Sequence, residues 1–122
     1  MSATVVSAPA AASFRSERFT PVPVAGNERA RVLVVCFEPD QFIPVHRPGV
    51  DLSLVVLEGD GLLVADGHEE RVTRGSVAFV PAGEARGLQA DTRLVAVTVV
   101  TPPPTDADHA EVTARLHRGE FR

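Results

Sequence analysis

The chain has 122 residues, sixteen acidic against twelve basic, with a formal charge of −4 and a pI near 5.5. That length holds one domain, and 44% hydrophobic against 23% charged residues is the balance of a globular protein with no apolar run long enough for a bilayer span. The basic residues are scattered and offer phosphate backbones no footprint, so neither nucleic acid nor a membrane is expected as a partner.

Residues 1–13 are rich in Ala, Ser and Thr and lack the large apolar side chains that would offset their ordering entropy, so a flexible N-terminal arm is expected there. Ser7, Pro9 and Ser13 interrupt the stretch from Met1 to Phe14, and no charged region leads into an unbroken apolar one. Cys36 is the lone cysteine and has no intrachain partner. Both features point to a cytoplasmic protein stabilised by packing.

A β domain is expected over residues 14–104. Pro21 and Pro23 each remove a ladder donor, so their segment is an edge strand at best, laid across a rim or onto a neighbour. Seven or eight short strands are expected from Arg31 to Val100. Arg31 to Glu38 is stopped by Pro39-Asp40, and Phe42 to His46 by Pro48-Gly49. Asp51 to Glu58 runs into the turn Glu58-Gly59-Asp60-Gly61. Leu62 to Ala65 reverses at Asp66-Gly67 into Glu70 to Thr73, and Arg74-Gly75 opens Ser76 to Val80. Thr92 to Val100 ends at the triple proline Pro102 to Pro104. Over residues 105–122, Thr105 with Asp108 forms a capping-box start, Val112 and Leu116 an i, i+4 apolar pair, and Gly119 a stop, which together predict a short C-terminal helix.

Several strands are apolar on both faces. Leu52, Leu54 and Val56 alternate with Val55 and Leu57, and Leu94, Ala96 and Val100 alternate with Val95, Val97 and Val99. One face of a single-layer barrel strand meets water, so the second apolar face needs a cover: the arm, the helix or a second subunit. A homodimer is the expected arrangement.

Two segments carry a resemblance. Pro44-Val-His46-Arg-Pro48-Gly-Val-Asp51-Leu52, continuing through Val56-Leu57-Glu58-Gly59, resembles the first motif of the cupin superfamily. Gly75, Pro81, Gly83 and Arg86 are similar in spacing to its second motif, with Arg86 where the family has a histidine. The resemblance covers Arg31 to Val100 and implies an all-β fold: a single cupin barrel of the jelly-roll type, with the short helix appended. Gly59 and Gly75 are expected at positive φ, while Pro81 and Gly83 set a turn.

The resemblance also implies where a metal would sit, because the family's usual site takes three histidines and a carboxylate. His46 matches the first histidine, but Pro48 stands at the second, Arg86 at the third and Leu52 at the carboxylate. Asp51 lies one residue away, pointing outward unless the register slips after Pro48-Gly49. His46 and Asp51 are thus the remaining metal candidates, fewer than the three protein ligands usual for catalytic zinc or non-haem iron.

No cofactor is therefore expected on the first reading: a barrel binding a small anionic organic molecule in an apolar cavity. Arg86 and His46 are its polar contacts, and Leu52, Leu54, Val56, Phe79 and Leu88 its lining. His46 and Asp51 are the candidate catalytic residues for acid–base chemistry of the isomerase or cyclase type, with Arg86 stabilising a developing negative charge. A second reading is a metal-dependent dioxygenase or isomerase using Fe, Mn, Ni or Zn on His46 and Asp51. A third is a non-catalytic dimeric barrel whose function is its surface. Cys36 is expected to pack as a small hydrophobe, His68 to be solvated, and His109 and His117 to lie too far apart around the helix to chelate.

Overall fold

Nine strands and two helices are arranged in the structure, a computed structural model that describes residues 3–122. The strands are β1 (Thr20–Gly26), β2 (Arg31–Phe37), β3 (Phe42–His46), β4 (Asp51–Glu58), β5 (Gly61–Ala65), β6 (His68–Val72), β7 (Val77–Val80), β8 (Arg86–Ala90) and β9 (Leu94–Thr101). The helices are α1 (Ala8–Ala11) and α2 (Asp106–His117). All strand pairs are antiparallel, in a five-stranded sheet ordered β1-β2-β9-β4-β7 and a four-stranded sheet ordered β3-β8-β5-β6.

The period of two decides what lies between the sheets. Leu54 and Val56 of β4, Val35 and Phe37 of β2, Leu94 and Ala96 of β9, and Leu63 and Leu88 of the opposite sheet form one buried cluster with Phe19 and Val72. Phe37, Leu94 and Val56 have no exposed surface. Each full burial of a side chain this size stabilises by ~1.5–3 kcal/mol. Phe19 stacks on Phe37 at a ring-centroid distance of 5.8 Å, which closes the core beneath β1.

The turns follow the sequence closely. Gly59 and Gly75 stand at φ +88° and +89°. At Gly59 a Cβ would also lie 2.0 Å from the Arg93 carbonyl oxygen, so the turn from β4 to β5 admits glycine alone. β1 is the proline-bearing edge strand, paired only with β2 and irregular between Pro23 and Ala25. β8 is the strand the sequence conceals: Arg-Gly-Leu-Gln-Ala holds no β-branched residue, yet four of its five residues are buried between β3 and β5.

At the chain's end, Thr105 caps α2 with the reciprocal Asp108 bonds of a capping box. Val112 and Leu116 pack on the core cluster. The following tail is fastened too: the Val45 amide donates to the Phe121 carbonyl at 2.6 Å, and Phe42 meets the Phe121 ring edge-on. Among the described residues no helix is long and apolar enough to cross a membrane.

The outer face of the five-stranded sheet divides in two. Over Val34, Cys36 and Val95 lie Ala8, Ala11, Ala12 and Phe14, so the segment expected as a flexible arm carries one helical turn and supplies a cover. Residues 1–2 of that arm lie outside the described residues. Burial pushes the Cys36 thiol up from its ordinary pKa, which makes the group a packing element rather than a nucleophile. The other half, around β4 and β7, leaves Val77 76% and Phe79 62% exposed, with Val55 and Leu57 beside them. Phe79 therefore faces outward and not into the barrel, because its neighbour Val80 takes the buried parity of β7.

Candidate functional site

Between the sheets, under α2, a cavity of about 350 Å³ is lined by apolar side chains from both layers and by a few polar ones. His46, Pro48, Leu52 and Arg86, the four positions matching the metal ligands of the cupin motifs, all face it. β3 and β8 bring two of them side by side, since His46 and Arg86 are cross-strand partners. Gly87 permits this closeness: a Cβ there would meet the Val45 amide nitrogen at 2.9 Å and the Ile43 carbonyl oxygen at 3.0 Å.

Arg86 is only 4% exposed. Its Nε donates to the Glu84 carbonyl at 3.2 Å and its Nη2 to the Pro81 carbonyl at 2.7 Å, while Nη1 is buried without any partner. Burial pushes its pKa down from the ordinary value, and the charge of Asp51 is the largest influence opposing that. A guanidinium remains charged in proteins, so the cavity wall holds a cation.

The loop that receives Arg86 is fixed from several sides. The Ala82 amide donates to Asp51 Oδ1 at 2.8 Å, the Gly83 amide to the Pro48 carbonyl at 3.0 Å, and Arg47 Nη1 to the Gly83 carbonyl at 2.7 Å. Asp51 is thereby a positioning residue. It sits on the face of β4 opposite to Leu52 and does not line the cavity, so the register does not slip to bring it in and the expected catalytic role has no geometric basis. Leu54 and Leu88 line the cavity with Leu52, but Val56 lies deeper, wholly inside the core cluster, and Phe79 is outside.

His46 Nδ1 lies 2.8 Å from the Pro44 carbonyl, an acceptor only, so Nδ1 carries the proton and Nε2 keeps its lone pair. Burial pushes its pKa below the ordinary 6.5, opposed by the Pro44 bond and by Glu111, so the ring is neutral near pH 7. A native state that resists protonation binds fewer protons than the unfolded chain as pH falls below about 6.5, and stability drops through that window. Urea unfolding at pH 7.5 and 5.5 should therefore show a larger loss for the native chain than for His46→Gln. An equal loss in both would contradict the buried neutral ring.

Several lining residues carried no motif. Pro104, Asp108, His109, Val112 and Thr113 reach the cavity from α2 and its approach, and Arg18 reaches it from the segment before β1. The Arg18 guanidinium lies 4.7 Å from the Phe19 ring centroid, with Nε buried and unpartnered. In the sequence Asp108 shows only its capping role and Arg18 is one arginine among many.

The donor set does not fit a divalent metal. Among the described residues no group of three or more His, Cys, Asp or Glu side chains is placed to hold one. Where the motifs would supply ligands, the wall offers one imidazole, a proline ring, a leucine and a permanent cation, which repels a positive ion.

No family model matches the chain. Over 70 residues it is 31% identical to the endoribonuclease YbeY of Myxococcus xanthus, covering 57% of this chain and 24% of that protein, so it spans about a quarter of the length of the curated relative it matches. The TT1209 structure from Thermus thermophilus superposes with a TM-score of 0.78 at 24% identity, over 82% of this chain and 98% of the other. An RmlC-like cupin protein from Desulfovibrio desulfuricans is 31% identical with a TM-score of 0.69, over 76% of this chain and 91% of its own. The chain belongs to the cupin superfamily. Within a cupin barrel, the exchange of imidazole for guanidinium at Arg86 becomes the feature to explain.

Proposed function

We propose that this cupin binds a small anionic organic molecule in the cavity without a metal, Arg86 holding the anionic group. The observation that carries the reading is the Arg86 guanidinium on the wall of a mostly apolar chamber, with no ion-pair partner among the described residues. A guanidinium on the wall can hold a carboxylate or phosphate through charge-assisted hydrogen bonds, roughly twice as strong as neutral ones. At about 350 Å³ the chamber is at the small end of ligand pockets, which span roughly 300–1,000 Å³.

His46 adds a proton acceptor. With Nδ1 committed to the Pro44 carbonyl, Nε2 is the atom available to take a proton from a bound ligand. Arg86, its cross-strand neighbour, would stabilise the enolate or oxyanion that results, the division of labour of an isomerase or cyclase. Asp51 serves this site through the loop at Ala82 rather than as a base.

A thermal-shift series with small carboxylates tests the reading, since a ligand at 100 times its dissociation constant adds ~2.7 kcal/mol to folding stability. Stabilisation by at least one small carboxylate, in protein free of transition metal by elemental analysis, is the expected result. Stoichiometric Fe, Mn, Ni or Zn that disappears in His46→Ala would overturn it.

The exposed half of the five-stranded sheet favours a homodimer as a further part of this proposal. Val55, Leu57, Val77 and Phe79 form one outward apolar surface, which a second subunit would cover.

A further inference from the structure

The cavity wall holds two guanidiniums, not one. Arg86 comes from β8 in the four-stranded sheet, and Arg18 from the segment leading into β1 at the edge of the five-stranded sheet. Each has a buried donor with no partner, Nη1 on Arg86 and Nε on Arg18. Arg93, Arg71 and Arg122 all sit against carboxylates at the surface, whereas among the described residues neither Arg18 nor Arg86 forms an ion pair. Arg15 lies close enough to Arg18 to add like-charge repulsion.

Asp108 is the carboxylate on the wall, and it is already in use. Its Oδ2 accepts from the Thr105 amide at 2.9 Å and from Thr105 Oγ1 at 3.1 Å, at the end of α2 where the helix dipole favours negative charge. Among the described residues neither arginine forms an ion pair with Asp108, while its charge, with those of Asp51 and Glu84, favours the charged form of Arg86. Two separate cations facing one chamber leave two positions where an anionic group is stabilised, with Leu33, Val35, Leu52, Leu54 and Leu88 supplying the apolar surface of the wall.

We infer that the ligand carries two anionic groups on a short apolar body, one held by Arg86 and the other by Arg18. The inference rests on the proposed anion site and extends it, with Arg18 as a specificity-determining residue. Carboxylate and phosphate have the same chemistry toward a guanidinium, so the probes include both.

The test compares, by calorimetric titration, unbranched α,ω-dicarboxylates of increasing length, monocarboxylates of the same length, and the corresponding ω-phosphocarboxylates. The native protein should bind one dicarboxylate or phosphocarboxylate at least about tenfold more tightly than the matching monocarboxylate, the gain of one charge-assisted contact. Arg18→Gln should remove that preference, costing the dianion much more affinity than the monocarboxylate. Which second group gives the tighter complex tells carboxylate from phosphate.

Equal affinity for mono- and dianions in the native protein overturns the inference and leaves the single-anion site standing. So does loss of monocarboxylate binding in Arg18→Gln, which would mean that both arginines grip one group. Failure of every anion to bind overturns the single-anion reading itself. Because the comparison is made first in the native protein, it does not depend on how the variant folds.

Discussion

Replacing Arg86 by glutamine is expected to weaken binding of a small carboxylate by about 100-fold, or ~3 kcal/mol, the upper range for a hydrogen bond to a charged group. Glutamine keeps a donor but loses the charge and the forked geometry. The same change removes the bonds to the Pro81 and Glu84 carbonyls, so the loop between β7 and β8 should loosen and stability should fall as well. Arg86→Lys separates these effects. A lysine restores the charge without the fork, so it should recover part of the affinity and less of the loop order. Calorimetric titration with urea unfolding of the same samples measures both. Unchanged affinity in Arg86→Gln would show that the guanidinium is a structural brace only.

The second large effect concerns assembly. Phe79 and Val77 are more than half exposed on β7, a four-residue strand at the edge of the five-stranded sheet, and they continue the apolar surface of Val55. If a second copy covers this surface, Phe79→Asp places a charge in a buried interface and should convert the protein from dimer to monomer. Because Phe79 contributes nothing to the core, the monomer should keep the native far-ultraviolet circular dichroism. Light scattering and sedimentation equilibrium distinguish the outcomes. A native protein that is already monomeric at tens of micromolar would remove the reason for the dimer.

The turns were the most legible part of the chain. Gly59, Gly75, Pro81 and Gly83 constrain backbone angles whatever surrounds them, so their spacing locates the strand ends and carries the cupin resemblance through a sequence with few of its ligands. The capping box at Thr105 is equally local, and α2 begins where those two residues place it. Facing was less legible. Leu52 and Asp51 are adjacent, and only the pairing of β4 with β9 determines which of them meets the cavity. Phe79 is large and aromatic and was expected inside, yet the parity of β7 turns it out.

The lining from outside the motifs could not be read from the sequence at all. Arg18 and Asp108 lie 90 positions apart and reach one cavity only through the packing of β1 and α2 onto the barrel. Arg86 lies between these cases. Its motif position points to the cavity wall, where it sits, but the two carbonyls that occupy Nε and Nη2 are a matter of loop conformation.

Side-chain NMR of the arginine guanidinium groups during titration with a carboxylate tests the anion site most directly. The Arg86 resonances should be slowly exchanging in the free protein, as suits a buried group, and should shift in saturable proportion to ligand bound, with the surface Arg29 unmoved. Saturable binding that leaves the Arg86 signals in place, or Arg86 signals exchanging as fast as those of Arg29 in the free protein, would contradict the account.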